Sequence, residues 1–221
     1  MSAPVLHYIF DPLCGWCYAA APLVAVARSI EGLQLVLHGG GMMSGAARRM
    51  VTPDLRQYVM EHDHRIAKLS GQPFGDAYFN GLLRNKDAIL DSTPPIAAIL
   101  AAQTCGKSGA DMLVALQRAH YVEGKVVSDT ACLHSLGSAL GIDAGNFAEE
   151  LDRQLQGAAN EHIRASRQLM RQVGGNGFPT MALEMKREFR RLDIGSYFGQ
   201  PEKWRELLQS QLQLQKKEAT I

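Results

Sequence analysis

The chain is poor in cysteine, with four in 221 residues, too few for a disulfide scaffold to hold the fold together. It carries almost no net charge. Its 23 Lys and Arg against 22 Asp and Glu leave +1, so no global field draws it to nucleic acid or to an anionic membrane. No uncharged run approaches the roughly 18 to 20 residues of a membrane span. The opening MSAPVLHYIFDPLC lacks the basic segment and long apolar core of a signal peptide. These absences argue against nucleic-acid and membrane partners and give the expectation of a cytoplasmic protein, unless a leader has been removed. What is present is ordinary globular material, 46% hydrophobic and 20% charged, in a length that suits one compact unit.

The segment VLHYIF, residues 5–10, is apolar and rich in β-branched and aromatic side chains, as a buried strand is, and Asp11-Pro12 closes it. An Ala-rich stretch follows, with Leu23, Val26, Ala27 and Ile30 at helical spacing. Pro22 inside that pattern predicts one kinked helix rather than two, ending at Glu31-Gly32. LQLVLHGGG, residues 33–41, reads as a second buried strand, which makes a βαβ unit with a parallel pair. From about 52 to 173 the period turns helical, with no strand pattern. Cap residues at Thr52, Ser92, Ser128 and in the GID before Ala144 start helices, and Gly106, Gly124, Gly141 and Gly174 stop them, giving about five. TMALEM and REFRRLDI predict an antiparallel hairpin over 180–194 around Lys186. Pro201 opens a last helix with an apolar stripe of Trp204, Leu207, Leu208 and Leu212, and the polar end 215–221 is expected to fray. The two ends must fold together, since neither supplies a complete sheet.

The chemistry concentrates in FDPLCGWCYAAAPL, where Cys14 and Cys17 stand two residues apart. A helix beginning near Cys14 would bring its sulfur to the unpaired N–H groups of the first turn, whose positive dipole favours a thiolate. Cys17, three residues on, lies on the same face, near enough to close a small ring and to attack a mixed disulfide at Cys14. The competing readings are weaker. Two inert thiols at a helix start conflict with an exposed, polar turn. A zinc site needs about four ligands, and neither Cys105 nor Cys132 belongs to a second pair; both read as buried, inert thiols. No metal is expected. His62 and His64 in EHDH point about 200° apart on a helix, and His7, His38, His120, His134 and His162 read as scattered structural or surface side chains. HGGG at His38 lacks any G-x-S-x-G partner, CGKSG at Cys105 lacks the first glycine of a phosphate loop, and MKREFRR reads as a solvated strand edge.

FDPLCGWCY together with GNGFPT resembles the thioredoxin superfamily, and within it the DsbA-like (FrnE-like) thiol-disulfide oxidoreductases, whose sheet is interrupted by a long helical insertion. The resemblance implies an α/β thioredoxin fold with a central mixed sheet. Residues 1–45 and 174–221 would form a discontinuous thioredoxin-like domain and 46–173 an all-helical insertion domain. It matches Cys14 to the nucleophile, Cys17 to the resolving cysteine and Pro179 to the cis-proline, with Phe178 and Trp16 beside the substrate. It implies a disulfide- or thiol-containing protein or small molecule as substrate, no cofactor unless glutathione serves as redox partner, and an unnamed recycling partner. Gly15-Trp16 differs from the Pro-His of the best-known oxidant in the family, which argues against strong oxidase activity, and the missing leader gives the expectation of a reductant, isomerase or detoxifying role in the cytosol. Two alternatives stand beside this reading. One is a glutathione-dependent transferase or isomerase of the kappa or hydroxychromene carboxylate type, which generally carries Ser at the reactive position. The other is a non-catalytic thioredoxin-like binding module.

Overall fold

The computed structural model describes residues 3–218. Along the chain come β1 (Val5–Phe10), α1 (Gly15–Ala19), α2 (Ala21–Arg28), β2 (Gln34–Gly39) and a two-residue β3 (Arg49–Met50). Then follow α3 (Pro53–Ser70), β4 (Ile89–Leu90), α4 (Thr93–Thr104), α5 (Gly109–Tyr121), α6 (Thr130–Ala139), α7 (Ala144–Arg153) and α8 (Ala159–Gln172). The chain closes with β5 (Thr180–Met185), β6 (Glu188–Leu192) and α9 (Pro201–Glu218).

β1 and β2 run parallel, Tyr8 beside Leu37, and β5 and β6 form the antiparallel hairpin. The two halves join where β5 pairs antiparallel with β1, Leu6 beside Leu183. Among the described residues the main sheet therefore has the order β2-β1-β5-β6. Alternation along β1 divides its side chains between two layers. Leu6, Tyr8 and Phe10 enter the large core with Leu23, Val24, Trp204 and Leu208, whereas Ile9 packs with Val173, Leu169 and Met170 at the end of α8. The indole of Trp204 is wholly buried and donates to the Leu23 carbonyl at 3.1 Å, fixing α9 on α2.

Pro22 interrupts its helix more fully than the expected kink. α1 ends at Ala19 and α2 starts at Ala21, because Pro22 has no N–H to give the Tyr18 carbonyl. That carbonyl accepts instead from the Gln72 side chain at 2.9 Å. α2 then stops at Arg28 rather than at Glu31.

The stretch 53–172 holds six α-helices among the described residues instead of about five, and its β3 and β4 pair as a small ribbon. Strands of two residues are too short to register as an alternation. Thr52, Asp129 and Asp143 cap their helices through side-chain oxygens, and Gly106 and Gly124 end theirs at φ +77° and +64°. Ser92 does not cap α4. Its hydroxyl accepts from the Met43 N–H at 3.0 Å and donates to Asp11 at 2.9 Å. The tail expected to fray is helical as far as Glu218, and 219–221 lie outside the described residues.

Candidate active site

The register of the sheet puts the two sequence motifs together. Ile9 pairs with Thr180, so the next residues along the chain, Phe10 and Pro179, come side by side where the β1–β5 pairing ends. The first leads into the turn that carries Cys14. The second belongs to the loop 176–179, in which the Phe178–Pro179 bond is cis.

Cys14 sits in extended conformation (φ −94°, ψ 114°) immediately before α1, and both Cys14 and Cys17 are free thiols. The Cys14 sulfur lies 3.5 Å from the Phe178 carbonyl, to which its thiol donates. Trp16 stands at the same mouth, its ring 5.4 Å from that of Phe198 and beneath the Arg65 guanidinium at 5.9 Å. Cys14, Cys17, Trp16, Phe178 and Pro179 are thus gathered in one place.

The turn is less open than its polar sequence suggested. Cys14 is 6% exposed and Cys17 is fully buried, because the cis-proline loop closes one side and α3 the other. α3 lies so near that a Cβ on Gly15 would fall 2.5 Å from Asp63 Oδ1 and 2.9 Å from Ile66. Only a residue without a side chain fits between the cysteines and this helix.

The two sulfurs have unequal surroundings. Burial, and after it the hydrogen bond that its thiol donates to Cys14, push the Cys17 thiol well above its ordinary value. The Asp11 N–H donates to the Cys17 sulfur at 3.4 Å, and the Tyr8 hydroxyl holds the Cys17 carbonyl at 3.1 Å. Cys17 therefore keeps its proton and points it at Cys14. One sulfur thus has some exposed surface and the other lies fully buried behind it, an asymmetry suited to thiol-disulfide exchange.

Asp11, read from sequence only as a strand terminator, is central to the support of the site. Its side chain is fully buried and accepts from the Leu13 N–H at 2.8 Å, the Ser92 hydroxyl at 2.9 Å and the Met42 N–H. Burial raises its carboxyl to about 6 against the lowering effect of these three donors. One carboxylate thus ties the cysteine turn to the glycine loop and to the start of α4. No spacing rule marks it, although a buried acid beside a reactive pair is a physically recognisable signal once burial is known.

The HGGG stretch, expected to be a bland turn, is the floor beneath Phe178. Gly39 donates its N–H to His162 Nε2 at 2.9 Å, and Arg167 holds the Gly40 and Gly41 carbonyls. The histidines are also not scattered as expected. His7 and His38 share a 2.9 Å hydrogen bond, His7 reaches Glu184 at 2.9 Å, and the His162 ring stacks 6.5 Å from that of His38. Burial lowers His38 to about 4 and His162 in the same direction, so both remain neutral links between α8 and β2. His62 and His64 diverge onto Tyr58 and Phe79. Cys105 and Cys132, expected to be buried, are only half-buried, since they lie at helix ends.

Fold and site together define a thiol-disulfide oxidoreductase of the thioredoxin fold, working through Cys-Gly-Trp-Cys. The chain belongs to the family of the DSBA-like thioredoxin domain, which matches residues 5–192. Among solved structures it is similar to the cytosolic disulfide reductase DsbM from Pseudomonas aeruginosa, with 50% identity and TM-score 0.90 over 95% of this chain and 99% of that one. The same reductase with GSH gives 48% identity and TM-score 0.88, again over 95% and 99%. A 2-hydroxychromene-2-carboxylate isomerase matches at 17% identity and TM-score 0.59, covering 98% of each chain, a likeness of fold alone. No curated protein matches. Among the described residues no helix is long and apolar enough to cross a membrane.

Proposed function

We propose that this chain is a cytoplasmic disulfide reductase that draws its electrons from glutathione. The observation that carries the reading is the 50% identity, over 95% of the chain, to a cytosolic disulfide reductase that is also known with GSH. The thiolate of Cys14 attacks one sulfur of a disulfide R–S–S–R′, forming Cys14–S–S–R and releasing R′–S⁻, which takes a proton from water. Cys17 then loses its proton and attacks Cys14, releasing R–SH and leaving the Cys14–Cys17 disulfide. Two glutathione thiols return the pair to the dithiol and leave as glutathione disulfide, so electrons balance over the cycle.

In this reading Phe178, Pro179 and Trp16 bind the partner. A groove of about 440 Å³ runs from Trp16 past Phe178-Pro179 to Asp193 and Phe198, a volume on the scale of ligand-binding clefts. The discontinuous thioredoxin-like domain, residues 1–45 with 174–221, supplies the chemistry and the groove, and the insertion 46–173 covers the other side of the cysteine turn through α3, against Gly15. Glutathione acts as redox partner rather than resident cofactor.

The test couples reduction of a small disulfide to glutathione, glutathione reductase and NADPH. NADPH consumption that needs both the protein and glutathione, and that disappears in Cys14→Ser, is the expected result. Equal slow rates for wild type and Cys14→Ser would sink the reading. The transferase or isomerase alternative shares the fold and draws part of its support from the relative that is known with GSH; it requires saturable glutathione binding and product formation that survive Cys17→Ser.

A further inference from the structure

Cys14 borders a second space, on the side of α3 away from the Phe178 carbonyl. This cavity of about 330 Å³ is bounded by Cys14, Gly15 and Trp16 on one side. Met42, Met43, Leu55, Val59 and Ile66 make its apolar wall. Trp16 belongs to both spaces and divides the cavity from the cis-proline groove.

The inner end is aromatic and retains unused polar capacity. Tyr78 and Tyr121 meet there with ring centroids 5.3 Å apart. Asp63, 4% exposed, accepts from the Tyr78 hydroxyl through Oδ2 at 2.8 Å. Its other oxygen, Oδ1, stands against Gly15. The Tyr121 hydroxyl is buried without a hydrogen-bond partner among the described residues. A buried polar atom left in this state is uncommon in native proteins, and this one lies along a cavity that opens on the reactive sulfur. Arg49, Tyr58 and His62 complete the lining from exposed positions, while the buried carboxyl at the inner end favours an occupant that donates a hydrogen bond there.

We propose that this cavity binds the thiol half of the disulfide substrate that does not occupy the cis-proline groove, and that it selects an arylmethyl group bearing a hydroxyl or N–H at its far end. The ring lies among the methionines, Leu55 and Val59, and its donor meets Asp63 Oδ1. The inference rests on the exchange reading above and assigns the substrate class of that site. In the step concerned, Cys14–S⁻ attacks the glutathionyl sulfur of a mixed disulfide GS–S–R. The Cys14–S–SG bond forms, the S–S bond to R breaks, and R–S⁻ takes a proton from water.

The experiment follows release of R–SH by reduced full-length protein from three probes: the mixed disulfides of glutathione with benzyl mercaptan, 4-hydroxybenzyl mercaptan and 2-mercaptoethanol. Wild type is expected to favour benzyl over hydroxyethyl by about tenfold in kcat/KM, the scale of discrimination that an apolar pocket supplies. It favours 4-hydroxybenzyl further. Val59→Trp, at a half-buried position, fills the cavity and brings the benzyl-to-hydroxyethyl ratio near one, with Met43→Trp as the second variant should the first fail to fold. Asp63→Asn abolishes the extra preference for the phenol while the benzyl ratio stays high. Three probes that react equally, or a ratio unmoved in the folded filling variant, overturn the cavity but leave the exchange reading intact. No reaction with any probe overturns both.

Discussion

The Phe178 ring lies directly on Gly40. A Cβ at that glycine would fall 2.1 Å from Cε1 and 2.3 Å from Cζ of the ring, closer than any tolerated contact. The same residue offers its carbonyl to Cys14 at 3.5 Å. The glycine loop, the ring and the nucleophile are therefore one mechanical chain, anchored from beneath by Arg167.

Gly40→Ala should move the ring and with it the carbonyl that faces Cys14. Overpacking of this kind costs about 1–3 kcal/mol, a tolerable loss for a folded domain, whereas misplacing the carbonyl that is proposed to bind the partner lowers exchange by about tenfold or more. Thermal melting and disulfide reduction rates measured on the same sample separate the two. An unchanged rate with a lowered Tm would show that the ring is packing alone.

Pro22 and Gln72 should be energetically coupled. Gln72→Leu removes the donor to the Tyr18 carbonyl and leaves a partly buried acceptor unpaired, at about 1–3 kcal/mol. Pro22→Ala restores a backbone N–H four residues beyond Tyr18, so the double variant should lose less than the two singles together. Urea unfolding of the four proteins in a double-mutant cycle gives the coupling. Strict additivity would mean that the carbonyl never depended on Gln72.

Stability against pH should show two opposing contributions. Burial lowers His38 and His120 to about 4, so between about 6.5 and 4 the unfolded chain takes up protons that the folded one refuses, and acid destabilises. Burial raises Asp11 and Asp63 to about 6. Between their ordinary value of 3.8 and about 6 the folded chain holds the extra proton, so these carboxyls favour the fold as pH falls and weigh against it as pH rises. Asp63→Asn removes one of the second kind. Relative to wild type it should gain stability from pH 4 to pH 8, by at most about 3 kcal/mol, read from denaturant midpoints at both pH values. A constant difference across that range would show that Asp63 titrates in the fold as it does in the unfolded chain.

How far the sequence carries depends on what each residue does. Strand β1, the CGWC turn, the hairpin and the stripe with Trp204 are legible because each is local: a run of apolar residues, a spacing, a periodicity. The joining of CGWC to GFPT comes from family resemblance, and the register of β1 with β5 supplies its physical reason. The roles of Asp11, Ser92, Gln72 and the histidines 7, 38 and 162 are not legible in this way. Their partners lie tens of residues away in sequence, as in Asp11 with Ser92 or Gly39 with His162, and no local pattern encodes such a pairing. The burial of Cys14 escapes the sequence for the same reason, since α3 and the cis-proline loop reach it only through the tertiary fold.

The unequal setting of the two sulfurs leads to an asymmetry that single variants should expose. Cys17→Ala leaves Cys14 bordering the open cavity without its resolving partner, so oxidised glutathione should leave a mixed disulfide on Cys14 that persists until an external thiol arrives. Intact-mass measurement reports that adduct directly. Cys14→Ala leaves Cys17, which has no exposed surface and a thiol held protonated by burial. Because the thiolate is the reactive form and access is required as well, Cys17 should resist both glutathione disulfide and iodoacetamide, reacting at least about a hundredfold more slowly than Cys14 does in the other variant. Denaturing the Cys14→Ala protein should restore ordinary thiol reactivity, which separates protection by the fold from loss of the thiol. Comparable rates for the two cysteines in the native variants would mean that the turn opens readily, and that the order of attack is not set by burial.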